Sequence, residues 1–166
     1  RHITDPSVSA VLAESRSRLE AISMIHQQLY RSADVQEVNF KLFLNDLIDK
    51  IRFTYGHSDR PLNSNIQIDK ELMNVDLALP LGLIINELLT NSFKYAYPSV
   101  NEPNLTIQIK DQNVYYADNG SGLPENFSIE NSNSFGIKLI SSLAQQLRGK
   151  YKFGNKGGMF FSLNFS

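Results

Sequence analysis

The chain has 166 residues, 42% hydrophobic and 20% charged, which suits a globular protein of one ordinary domain plus an appended helix. Sixteen basic against seventeen acidic residues leave a formal net charge of −1, so composition shows no footprint for nucleic acid or an anionic membrane. Cysteine is absent, which excludes disulfides and thiolate metal sites, and no run approaches the ~20 apolar residues of a membrane-spanning helix.

The chain opens at Arg1 with no signal-peptide pattern, which reads as a fragment of something longer. Thr4-Asp5-Pro6 predicts a helix start, with Asp5 as cap and Pro6 at the first helical position, where a missing N–H costs nothing. Val8, Leu12, Ser15, Leu19, Ile22, His26 and Leu29 follow at alternating four- and three-residue steps, the seam of a coiled coil or bundle. Ala21 and Ile25 widen that stripe. Such a seam calls for a partner, either a bundle or dimer helix or the domain that follows.

Asn39 is the expected cap of a second helix, with Phe40, Phe43, Leu44, Leu47, Ile48 and Ile51 inward and an end near Gly56. Residues 61–65 read as a connector. Ile66, Ile68 and the run Leu72 to Val75 are weakly strand-like. Asp76 is expected to cap a long helix reaching Tyr97, stopped by Pro98. Leu105 to Ile109 alternates as a strand, Asp111 to Asn113 turns, and Val114 to Ala117 returns. A polar segment from Asp118 to Ser134 leads into a helix from Phe135 or Gly136 to Leu147. A hairpin around Gly154 to Gly158 closes the chain. Helices mixed with hairpin-connected strands predict an α/β fold, a two-layer α/β sandwich and not a doubly wound parallel sheet.

Three places could carry chemistry. At about 100° per residue, Glu87, Asn91 and Lys94 lie within about 60° of one another, opposite Ile85, Leu89 and Ala96. One face then offers a carboxylate, an amide and an ammonium. That set suits a Mg²⁺–nucleotide, with the Asn91 oxygen on the metal, Lys94 on phosphate and Glu87 accepting a proton or orienting water. An incidental ion pair on a solvated helix face has the same pattern. The second place is Asp118 to Gly122, where a strand-end carboxylate can accept from an exocyclic amine such as adenine's, and Gly120 and Gly122 admit close approach. An ordinary turn reads likewise. The third is Gly136 with Ile137 and Lys138 at a helix start, whose free amides favour phosphate. Neither G-x-x-x-x-G-K-[ST] nor G-x-G-x-x-G occurs.

Taken in order, Glu87-x-x-x-Asn91-Ser92-x-Lys94-Tyr95, Asp118-x-Gly120-x-Gly122, Gly136-Ile137-Lys138-Leu139 and Gly157-Gly158 resemble the ATP-binding domain of sensor histidine kinases. That domain's wider superfamily includes gyrase, heat-shock chaperone ATPases and mismatch-repair ATPases. Leu19 to Ser32 is similar to the second dimerisation helix of the branch whose phosphoacceptor box reads H-R-x-K-N-N. The resemblance implies residues 1–33 as part of a dimerisation hairpin and residues 34–166 as the catalytic domain, with a mixed, mostly antiparallel sheet covered by helices on one face. It implies ATP and Mg²⁺ as cofactors, Asn91 on the metal, and Glu87 as the acidic residue assisting the nucleophile. Lys94 and Lys138 would reach phosphate, Tyr95 would flank the nucleotide, and Asp118 would bind the adenine amine. Gly120 and Gly122 would form floor and hinge, Leu123 to Phe135 the lid, and Gly136 with the amides after it, Ile137 included, a phosphate seat.

Ser134 stands where many relatives carry a glycine, and Met159 replaces a common threonine, removing a hydroxyl expected near the base. The implied partners are a response-regulator receiver domain and a second copy through the helix hairpin, with no nucleic acid. The implied location is cytoplasmic for the domain, whether or not the parent is membrane-anchored. His2, His26 and His57 are the only histidines, and none sits in the box. His26 is expected to be packed on the seam, His57 to be a loop or capping residue favoured by a helix dipole, and His2 to lie at a terminus. The acceptor is therefore expected to precede Arg1, leaving a chain that binds ATP without phosphorylating itself. A serine kinase or ATPase of the same superfamily, or a non-catalytic nucleotide scaffold, would share much of this pattern.

Overall fold

The computed structural model describes residues 5–31, 36–130, 132 and 134–166. Thr4, His2 and the expected boundary between 33 and 34 lie outside the described residues. Helix α1 (Pro6–Arg31) starts where expected, with the Asp5 carboxylate accepting the Ser7 N–H at 2.9 Å. Strand β1 (Glu37–Asn39) leads into α2 (Phe40–Thr54), capped by Asn39, whose side chain accepts the Leu42 N–H at 3.1 Å. The six predicted inner residues of α2 are all buried.

Strand β2 (Asn63–Ile68) takes in the last residues of the expected connector, because pairing with β4 extends it to Asn63. Strand β3 (Leu72–Asn74) pairs with β1. Helix α3 (Val75–Asn91) is capped by Asn74 and not by Asp76: the Asn74 side chain accepts the Asp76 N–H at 2.8 Å. Asp76 lies in the first turn, where its charge suits the helix's positive end. Nor does α3 run unbroken to Tyr97. Residues Ser92–Ala96 form a π turn and Tyr97–Ser99 a 3₁₀ turn holding Pro98, which has no N–H for a helical ladder.

Strands β4 (Asn104–Lys110) and β5 (Asn113–Asp118), helix α4 (Phe135–Gln146), and strands β6 (Lys150–Asn155) and β7 (Met159–Asn164) complete the chain. The sheet order is β2-β4-β5-β7-β6, parallel only between β2 and β4. Period-two alternation sends Leu105, Ile107, Ile109, Val114, Tyr116, Phe161 and Leu163 inward against α2, α3 and α4, while Tyr115 and Phe160 stack on the half-exposed outer face. This is the expected two-layer sandwich. No described helix is long and apolar enough to cross a membrane.

Helix α1 docks on α3 through Ala21 and Ile25, both buried in the common core. That rotation turns the predicted seam outward: Val8, Leu12, Leu19 and His26 are exposed, so His26 is not the packed residue expected. His57 is the loop residue expected after α2, its N–H bonded to the Arg52 carbonyl at 2.7 Å, but it is buried. It is only 5% exposed, edge-on to Phe93, with Nδ1 facing the Arg60 guanidinium at 3.2 Å. Burial first, and the Arg60 charge second, hold its pKa below the usual 6.5. The unfolded chain therefore binds that proton more readily, so His57's contribution is complete above the usual value and lost as pH falls from there through the lowered one. Urea midpoints are expected to decline as the pH falls below about 6.5, and less steeply in His57→Leu.

Candidate functional site

Between the last turns of α3, the end of β5 and the β6–β7 hairpin lies a cavity of about 370 Å³. Its size suits a small-molecule ligand, and its wall is largely apolar, with Leu88, Phe153 and Met159 contributing. Asn91, Tyr95, Asp118, Gly122 and Ile137 line it as well. It is therefore shared by all three of the segments singled out in the sequence.

Asp118 ends β5 and is 7% exposed. Its Oδ1 accepts the N–H groups of Gly120 at 3.0 Å and Met159 at 3.2 Å, and its Oδ2 accepts the Ser92 hydroxyl at 2.8 Å. The Ser92 hydroxyl also lies 2.6 Å from that of Tyr116. Gly158 makes the approach of β7 possible. Its φ is +139°, and a Cβ there would collide with the Asp118 carbonyl oxygen. Gly120 passes against Ala96, under the cavity. Asn155 holds the start of the segment after Gly122 at two points, accepting the Leu123 N–H at 2.7 Å and donating to its carbonyl at 2.9 Å.

Glu87 and Lys94 do not line the cavity, so the expected common face of α3 is divided. Glu87 lies under α1. Arg18 donates from Nε to its Oε1 at 2.5 Å and from Nη2 to its Oε2 at 3.2 Å, a charge-assisted fork with side chains 14% and 7% exposed. The Arg18 guanidinium also lies 4.7 Å from the Phe135 ring centroid. Lys94, carried round by the π turn, reaches Glu14 of α1 at 3.7 Å and lies over the Tyr95 ring. A hydrogen bond that the ammonium donates to Tyr95, then the Glu14 charge among weaker influences, raise the Lys94 pKa and keep it cationic. The polar side of α3 is thus covered by α1 instead of water.

Gly136 packs on the Glu87 carboxylate, where a Cβ would lie 2.7 Å from Oε2. Ser134 caps α4 by accepting the Ile137 N–H at 3.4 Å, so a phosphate seated on that amide has to displace a hydroxyl. Lys138 is exposed and outside the cavity lining. Among the described residues no group of three or more His, Cys, Asp or Glu side chains converges as a metal site. Sequence reasoning missed Arg18, Glu14, Ser92, Tyr116 and Asn155. Two of these carried a signal: Tyr116 alternates inward with Val114 and Asp118, and Ser92 continues the buried stripe of Leu81, Ile85 and Leu88 as a hydroxyl where an apolar residue belongs.

Residues 1–55 match the HisKA_2 family, described as histidine kinase. The sensor histidine kinase PdtaS of Mycobacterium tuberculosis is 32% identical over 140 residues, 80% of this chain and 27% of that protein. Blue-light-activated histidine kinase 2 of Erythrobacter litoralis is 24% identical over 137 residues, 78% of this chain and 40% of that protein. The chain therefore spans well under half of these relatives. In fold it is similar to the histidine kinase domain of Erythrobacter litoralis EL346, with a TM-score of 0.75 at 20% identity, covering 91% of this chain and 73% of that one.

Proposed function

We propose that this chain, the ATP-binding catalytic domain of a sensor histidine kinase with a helix before it, holds ATP with its base at Asp118 and its phosphates toward Asn91. Asp118 carries the reading. A carboxylate fixed at the end of a largely apolar cavity suits a purine amine, and its glycine-rich approach leaves room for a flat ring. Asn91 faces the same cavity from α3, and among the described residues nothing occupies its side-chain amide. A Mg²⁺ ion there would be held by the Asn91 oxygen together with phosphate oxygens and water, and would supply charge neutralisation.

The γ-phosphoryl group would pass to the histidine of an H-R-x-K-N-N run, a sequence absent from these 166 residues, and then to a receiver-domain aspartate. The exposed Val8, Leu12 and Leu19 stripe supports pairing of α1 with further helices, in this chain's parent or in a second copy. In this reading Glu87 assists the nucleophile, but Arg18 occupies both its oxygens, so that work requires α1 to release it. The same contact favours a second reading, a nucleotide-binding scaffold in which Glu87 is structural.

Mixing the chain with a separately made acceptor helix bearing the box, and with labelled ATP, separates the two. Phosphotransfer is expected with the unaltered chain, and a loss of about hundredfold or more with Asn91→Ala. Transfer indifferent to that substitution would sink the metal assignment. Tight ATP binding with no transfer would select the scaffold.

A further inference from the structure

The hydroxyl pair behind Asp118 is buried, is not part of the cavity wall, and has no role in the reading above. Ser92 and Tyr116 are both fully buried, one on the π turn after α3 and one on β5. Their directions of donation can be worked out. Asp118 Oδ2 accepts from Ser92, and a serine hydroxyl has one proton, so Ser92 Oγ must accept from Tyr116. Burial, above all, raises the Tyr116 pKa well above its usual value, which keeps it a donor at any working pH. The chain of bonds therefore runs one way, from Tyr116 to Ser92 to Asp118.

With the Gly120 and Met159 N–H groups on Oδ1, donors from three directions pin the carboxylate. What remains available toward the cavity is acceptor capacity only. A carbonyl at the same place on a ligand would meet it acceptor to acceptor. This arrangement also accounts for Met159: its backbone N–H and the Ser92 hydroxyl serve Asp118 without a side-chain hydroxyl at that position.

We infer that Ser92 and Tyr116 are positioning residues that set base specificity, fixing Asp118 so that the cavity selects a purine carrying an exocyclic amine over one with hydrogen or oxygen there. This rests on the reading that the cavity binds ATP. The test is equilibrium binding of ATP, of purine riboside triphosphate, which lacks the amine, and of GTP to the 166-residue chain and its variants. The unaltered chain is expected to prefer ATP over both. Ser92→Ala should weaken ATP roughly tenfold or more while leaving purine riboside triphosphate nearly unchanged, so that the preference collapses. Tyr116→Phe, which changes one atom in the core, should reduce the same preference by a smaller factor, about threefold, with the fold checked by circular dichroism. Equal weakening of both nucleotides would show a structural role only and overturn the inference. So would a preference for ATP that survives in both variants. Failure of the unaltered chain to bind any of the three nucleotides is a different result, which removes the ATP reading itself and this inference with it.

Discussion

Asp118→Asn is expected to weaken ATP binding by roughly hundredfold or more while the chain stays folded. The substitution preserves shape, and its remaining oxygen can still accept from Gly120 and Met159. The new amide, however, places N–H groups where Oδ2 now accepts from Ser92. Ser92 can turn its proton away only by disturbing its bond with Tyr116. Either the amide opposes a donor inside the protein, or it presents one to the purine amine. A buried polar group facing a like partner loses the interaction and leaves both groups desolvated, which is why the loss exceeds that of one ordinary hydrogen bond. Calorimetric titration with ATP measures the effect, and a urea melt separates it from unfolding. Affinity within threefold of the unaltered chain would remove Asp118 from the base site.

The second large effect is expected at Arg18. Glu87 is only 5% exposed, Arg18→Ala takes the cation off its carboxylate, and removing one member of a buried pair costs about 3 kcal/mol or more. Movement of α1, which admits water, caps that cost. Adding Glu87→Gln should recover much of the loss, because the unpaired charge is what destabilises, and urea melts of the two variants check this. ATP affinity should hardly change, since Asp118 and Asn91 make no contact with Arg18. Phosphotransfer to an added acceptor helix should rise in Arg18→Ala if Glu87 serves the nucleophile, and should disappear in Glu87→Gln. A stability change under about 0.5 kcal/mol would show that the pair does not hold α1 in place.

Most of the element positions, and part of the lining of the cavity, were legible along the chain. Period-two runs gave β4 and β5 to within a residue, because a sheet with one buried face imposes strict alternation. The 3.6-residue stripe of α2 fixed its buried face, and the Asn39 cap was legible because capping is a local hydrogen bond. Asn91, Tyr95, Asp118, Gly122 and Ile137, read from three separated motifs, meet at one cavity.

The facing of elements with two possible partners came from packing between distant parts of the chain. The α1 repeat has an apolar stripe wide enough to serve two partners. Packing on α3 took Ala21 and Ile25 and left Leu12, Leu19 and His26 outside. A local periodicity cannot say which side of a wide stripe wins, since that depends on the surface it meets. Glu87 and Lys94 were predicted to share one ligand-facing side of the helix with Asn91. They instead meet Arg18 and Glu14, about seventy and eighty residues earlier in the chain, because ion pairs between distant elements follow from docking and not from spacing. The Tyr116–Ser92–Asp118 relay has the same origin: its three residues were readable as inward-facing, but only the packing of α3 and its π turn on β5 brings their hydroxyls and carboxylate into line.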